Sequence, residues 1–244
     1  MSLGKTHRNM KTKEYILLLL ILLLTIALPT FNAYATRFEV SEDFSALINK
    51  QLVYQLSTLL LTLLFLTLLW KLKRKEFIQY FRRGNISAPI TPAPFVGIKP
   101  KKNENWLHLG KSFSVIITLV TMVVIYLQVI HKNTLDYSKI LTLLPIAIGL
   151  SLVNSFVEES ITRLGIVATF KNIIPDNSIM ILSGLLFGGV HYLGTPGGVT
   201  GVFVAGFLGW FLAKSILETK GFFWAWLIHF LQDIVIFTAM LSTE

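Results

Sequence analysis

Glu158, Glu159, Arg163, His191, His229 and Asp233 are titratable side chains set inside three long apolar runs of a 244-residue chain. Carboxylates and imidazoles are the groups that move protons, hold metals and stabilise charge in a reaction. In hydrocarbon each of them is expensive, so such residues face protein or a wet cavity rather than lipid. Six of them in neighbouring segments predict a polar site built inside a membrane. Their spacing narrows the chemistry. Glu159 and Arg163 stand four apart, on one helix face, where they can pair. Glu158, about 100° round the same helix, is then left for another task. His229 and Asp233 are also four apart and can act on one ligand together. Phe187 and His191 share that spacing, which lets the ring wall a pocket beside the imidazole.

The elements that must carry these residues follow from composition and hydrophobic run length. The chain is 53% hydrophobic and 14% charged, whereas a soluble domain is nearer a quarter charged. Apolar stretches at about 15–35, 47–70, 112–130, 140–170, 178–193, 199–217 and 222–241 match the roughly 20 residues of a membrane-spanning helix. The runs are too long for strands and lack period-two alternation. The expected fold is therefore an all-α membrane protein, a polytopic bundle of about seven transmembrane helices with a buried polar active site in its C-terminal half. Counted from their ends near Lys171, Asn177 and Gly221, Glu158 lies roughly 20 Å along its helix, His191 roughly 21 Å, and His229 and Asp233 roughly 12 and 18 Å. Three helices thus bring titratable groups to comparable depth.

Basic residues set an orientation. Lys5, Arg8, Lys11 and Lys13 precede the first run, and the 71–111 loop carries ten more, from Lys71 to Lys111. Arg163, Lys171, Lys214 and Lys220 fall on the same side, leaving Arg37, Lys50, Lys132 and Lys139 for the other. The positive-inside rule puts the amino terminus in the cytoplasm. The net charge of +9 thereby reads as membrane topology and contact with anionic headgroups, with no nucleic-acid partner. The tail, first run and Ala33-Tyr34-Ala35 also have the form of a secretory signal with its cleavage site. Cleavage there would leave six spans and the site unmoved. With no cysteine, disulfides and thiolate metal sites are excluded.

The chain divides into residues 1–111, two spans and a basic cytoplasmic loop without a buried ionisable group, and residues 112–244, a transmembrane catalytic core. Ala88–Pro94 in the loop reads as an extended linker. Gly184 and Gly188, and Gly201, Ala205 and Gly209, form small-residue stripes expected to let helices approach closely. Asn154, Gln128 and Gln232 are expected to bond between helices, and Asp176 to cap or turn. Trp210, Trp224, Trp226 and Tyr192 read as interface or packing aromatics. His7, His108 and His131 read as solvated.

Glu158-Glu159-Ser160-Ile161-Thr162-Arg163 fits EExxxR, Phe187–His191 fits FxxxH, and His229–Asp233 fits HxxxN/D. In this order on a membrane core, within residues 140–241, they resemble the CPBP family of intramembrane proteases (CAAX- and bacteriocin-processing, or Abi). The resemblance implies peptide-bond hydrolysis inside the membrane. It implies Glu158 and His191 as the water-activating pair and His229 and Asp233 as the oxyanion partners. Glu159, Arg163 and Phe187 have supporting roles. Position 233 departs from the commoner asparagine, and an ionised aspartate cannot donate to an oxyanion. It must be protonated, orient His229 or bind a metal. No cofactor is expected on this reading. A divalent metal such as zinc stays an alternative, because Glu158, His191, His229 and Asp233 are acceptable ligands by type, although no HExxH helix is present. The implied partners are the lipid bilayer and a hydrophobic, prenylated or precursor peptide, and the compact length leads to the expectation of a prokaryotic plasma membrane. A non-proteolytic immunity or scaffold protein of the same fold is the competing function, and a proton-coupled transporter a third.

Overall fold

The structure is a computed structural model and describes residues 9–243; Lys5, His7 and Arg8 lie outside the described residues. Among them are nine α-helices: α1 Thr12–Tyr34, α2 Ala46–Leu72, α3 Arg74–Tyr80, α4 Trp106–Gln128, α5 Tyr137–Glu159, α6 Ile166–Phe170, α7 Asp176–Val190, α8 Gly198–Thr219 and α9 Phe223–Ser242. The protein is an all-helical, polytopic membrane bundle. Side-chain acceptors mark the helix starts. Ser45 accepts from the Ile48 N–H, Asn105 from Leu107 and Asp136 from Ser138, each satisfying an orphan donor of the first turn.

Six helices of the described residues are long and apolar enough to cross a membrane, rather than seven. The exception is α7, which has 15 residues and is only about 22 Å long. His191 and the glycine-rich 194–198 turn break it before it completes a span, and Gln128 of α4 holds that turn. The Gln128 side chain accepts from the Gly197 N–H at 2.9 Å and donates to its carbonyl at 3.3 Å. Irregular backbone at membrane depth is tolerated where it lines a cavity in this way. The small-residue stripes do pack α7 against α8. A methyl added at Gly188 would lie 2.6 Å from the Val202 carbonyl oxygen, and one at Gly209 2.9 Å from that of Ser183.

The helix begun by α5 continues through a wide, π-type turn at Ser160–Gly165 into α6, a single rod from Tyr137 to Phe170. Wide turns of this kind recur at functional sites. Here the turn begins directly after Glu159, and every residue from Glu159 to Phe170 is buried. The fourth run is therefore one continuous rod whose last third is packed inside the protein.

The two membrane faces are tied by hydrogen bonds. On one face Lys13 donates to the Leu72 carbonyl at 3.2 Å, Asn85 N–H to Thr219 at 2.8 Å and Phe222 N–H to Arg82 at 2.7 Å. On the other, the Asp136 N–H donates to the Ser242 carbonyl at 2.9 Å. The 81–105 segment is docked rather than a free linker. Ala88 and Ala93 are buried, Lys214 donates to the Thr91 carbonyl at 2.7 Å, and Trp224 donates to that of Ile86 at 3.0 Å. Gly84, with φ of 72°, passes so close to Gly221 that a methyl would sit 2.6 Å from its Cα. One expectation about residues 1–111 is corrected. Glu14 and Lys73 are both buried and pair at 3.1 Å. The start of α1 and the end of α2 pack together there, and run length alone gives no sign of that.

Candidate active site

The wide turn after α5 presents two successive glutamates to different surroundings. Glu159 is sealed. Its Oε1 lies 3.2 Å from Arg163 and accepts from His229 Nδ1 at 2.7 Å, with both Glu159 and Arg163 at 0% exposure. The Arg163 guanidinium lies 3.5 Å from the centroid of the Phe187 ring, a cation–π contact strengthened by the absence of water. The arginine also bonds the Thr162 hydroxyl. The motif pair expected on one helix face thus exists, and it reaches across to α9. Because a carboxylate only accepts, His229 Nδ1 carries a proton and Nε2 is the nitrogen turned to the remaining acids.

Glu158 is the open member, with its side chain 18% exposed. Its Oε1 accepts from Asn154 Nδ2 at 3.3 Å, whereas its Oε2 is buried without a hydrogen-bond partner, 3.6 Å from His229 Nε2. Asp233 Oδ1 stands 3.5 Å from that same nitrogen, and its Oδ2 accepts from Asn154 Nδ2 at 3.1 Å. The Asn154 carbonyl in turn accepts from Gln55 Nε2 on α2 at 3.2 Å. This fixes the amide's orientation, since the flipped form would set oxygen against two carboxylates.

His191, just past the end of α7, donates from Nδ1 to the Phe187 carbonyl at 2.8 Å. A carbonyl only accepts, so Nε2 is left as the basic nitrogen. The Phe187 ring lies 4.2 Å from the His191 ring and 5.5 Å from that of His229, walling the pocket as its spacing predicts. Glu158, His191, His229 and Asp233 all line one cavity of about 410 Å³, with Phe187 and Asn154.

The residues singled out by the motifs thus converge on one cavity. No group of three or more His, Asp or Glu among the described residues could hold a metal ion. Sequence reasoning also left part of the wall unseen. Asn154 does bond between helices, as does Gln232, which accepts from Thr121 at 2.7 Å, whereas Gln128 bonds the 194–198 turn. Asn154, however, also ties the two cavity acids together. From α2, outside the motif region, Gln51 and Tyr54 line the cavity. A signal for α2 existed: Gln51, Gln55, Thr58 and Thr62 are buried and recur at helical spacing, a polar stripe on an otherwise apolar span.

No curated protein and no solved structure matches the chain. Residues 140–235, which contain all seven motif side chains, match the family model described as type II CAAX prenyl endopeptidase, Rce1-like; this bears out the resemblance drawn from the motifs and is in line with a CAAX-type intramembrane endopeptidase in general.

Proposed function

We propose that the protein hydrolyses a peptide bond of a membrane-associated or hydrophobic polypeptide with water activated by Glu158 and without a metal ion. The observation that carries this reading is the unpartnered Glu158 Oε2 on the cavity wall, facing His229 Nε2. A base poised near its substrate accelerates hydrolysis by about 10²–10⁴-fold.

In the proposed sequence a water held between Glu158 Oε2 and His191 Nε2 attacks the scissile carbonyl carbon. Its proton passes to Glu158 as the new C–O bond forms. His229 acts as the doubly protonated imidazolium, its Nδ1–H anchored on Glu159 and its Nε2–H donating to the tetrahedral oxyanion. The C–N bond then breaks, and Glu158 returns its proton to the leaving amine. An ionised Asp233 cannot donate to the oxyanion. Its position supports a holding role: one oxygen steadies the His229 Nε2 proton and the other takes the Asn154 amide. The amino terminus on this reading is cytoplasmic.

The test is product mass spectrometry of membranes carrying wild type or Glu158→Ala, with and without a chelator. New termini that need Glu158 and survive the chelator are expected. Equal cleavage by both forms would end the assignment, and termini lost only on chelation would replace it with a metal mechanism.

A further inference from the structure

We propose that substrate reaches this site from the membrane face opposite the basic 71–111 loop, so that the substrate is a translocated, membrane-anchored polypeptide cut in the outer part of its anchor. The proposal rests on the peptidase reading above and adds the side of access.

The cavity is one-sided. Among the described residues, α9 lines it from His229 to Met240 and nowhere earlier, and α1 only from Thr25 to Asn32. From α2 it takes Gln51 and Tyr54, near that helix's start, and from α8 nothing beyond Leu208. These limits all lie toward the face that holds the ends of α1, α4 and α9 and the turn at 194–197. The titratable groups are therefore at the cavity's floor. Along α9 the wall rises from His229 to Met240, or roughly 16 Å.

The basic face is closed. Phe81, Phe156 and Phe222 cluster there with ring centroids 5.6–6.3 Å apart. Outside them the docked segment is bonded to the ends of α8 and α9 through Asn85, Arg82 and Ile86. The cavity described on this side, between Ile90 and Phe113, is about 150 Å³ and takes in none of the site residues. Near the mouth, the buried Asn32 Oδ1 lacks a hydrogen-bond partner on the cavity wall, an acceptor that a descending peptide N–H can fill.

Charge gives the two faces their compartments. The closed face carries the 71–111 loop, Lys11, Lys13, Lys171 and Lys220, and the open face only Arg37, Lys50, Lys132 and Lys139. Glu39, Glu42, Asp43 and Asp136 offset those four on the open face. The short α7 does not disturb the assignment. It and α8 form a hairpin whose free ends, at Asp176 and Thr219, lie on the basic face. By the positive-inside rule that face is cytoplasmic, and the mouth opens to the other side.

The chain has no cysteine, so single-cysteine variants report their own exposure, a thiol in water being far more reactive than one kept from it. Thr30→Cys and Thr195→Cys sit at the mouth, and Lys101→Cys in the basic loop. A membrane-impermeant maleimide added to intact cells is expected to label the two mouth positions, and Lys101→Cys only after permeabilisation. Labelling of Lys101→Cys from outside, or of the mouth only after permeabilisation, overturns the proposal whether or not the protein proves to be a peptidase. The Glu158-dependent termini give the second reading. Cuts near the non-cytoplasmic ends of anchors support it, and cuts at cytoplasmic prenylated tails overturn it. Absence of any Glu158-dependent terminus defeats the peptidase reading alone, and the maleimide result still decides the face.

Discussion

Glu158 and Glu159 are chemically the same and adjacent in sequence, yet they sit in two different regions of the molecule. Glu159 belongs to a sealed region in which Arg163, Phe187 and His229 Nδ1 take up its charge and no surface is exposed. Each glutamate leaves its Oε2 without a hydrogen-bond partner, but that of Glu158 belongs to the open region, on the cavity wall facing His229 Nε2, with its Oε1 held by Asn154. About 100° of helix rotation separates a structural anion from a reactive one. The comparison teaches that the anchored glutamate makes the free one usable. By fixing Nδ1 of His229, Glu159 decides which nitrogen meets Glu158 and Asp233.

The largest expected effect breaks this contrast directly. Glu158→Gln keeps shape and removes the base. Turnover is expected to fall about a thousandfold with the thermal midpoint in detergent unchanged. Glu159→Gln should lose activity and stability together, because it leaves the Arg163 charge buried with a weaker partner. Breaking a buried pair from one side costs about 3–5 kcal/mol. Equal stability losses for the two variants, measured by thermal unfolding, would erase the distinction between the regions. Arg163→Lys is expected to resemble Glu159→Gln, since an ammonium cannot reproduce the planar stack on Phe187.

A smaller effect sharpens the contrast within the open region. Asn154 donates to both cavity acids, so Asn154→Asp would crowd a third carboxylate against them. We expect turnover to fall roughly 10–100-fold, the range for losing an orienting partner, with KM little changed. The double variant Asn154→Asp/Asp233→Asn exchanges amide and carboxylate across the same gap and should recover part of that loss. No recovery would mean that the amide does not act through its link to position 233.

The packing of α7 comes next. In Gly188→Ala the new methyl would meet the Val202 carbonyl oxygen at 2.6 Å, and overpacking of this kind costs about 1–3 kcal/mol. Since α7 carries Phe187 and leads into His191, the sealed and open regions would both shift. A variant with unaltered thermal midpoint and turnover would show that the α7–α8 seam tolerates separation.

Much of this arrangement was legible in the sequence, for identifiable reasons. Run length places the long helices, and four-residue spacing anticipates both the Glu159–Arg163 pair and the Phe187 wall. The bond from Glu159 to His229 was not legible, because it depends on how α9 is rotated against α5, and nothing local encodes that. The contribution of α2 was half-written, as a polar stripe whose destination the motifs did not name. The shortness of α7 was obscured because hydrophobicity continues to Leu193 after the helix has ended at Val190. The Glu14–Lys73 pair joins residues 59 apart, a separation beyond any spacing rule.

The smallest effect belongs to the far face, away from both regions. Asp136 caps α5, where the Ser138 hydroxyl donates to it at 2.6 Å and the Ser138 N–H at 2.9 Å. These bonds favour the ionised form and hold its carboxyl below the usual carboxylate range. A group whose folded value is depressed binds fewer protons folded than unfolded. Its contribution is therefore full above its ordinary value and is lost as pH falls through the lowered one. In Asp136→Asn the amide oxygen can still cap the helix, but the titration is gone. Thermal midpoints of wild type and variant should converge as acid protonates Asp136, the wild type holding a slight advantage only above the carboxylate range. Turnover should be unchanged, because the cap lies at the start of α5, about six turns from Glu158. A turnover loss comparable to that of Asn154→Asp would show that the far end of α5 is coupled to the site, and that the two regions are not as separate as their geometry indicates.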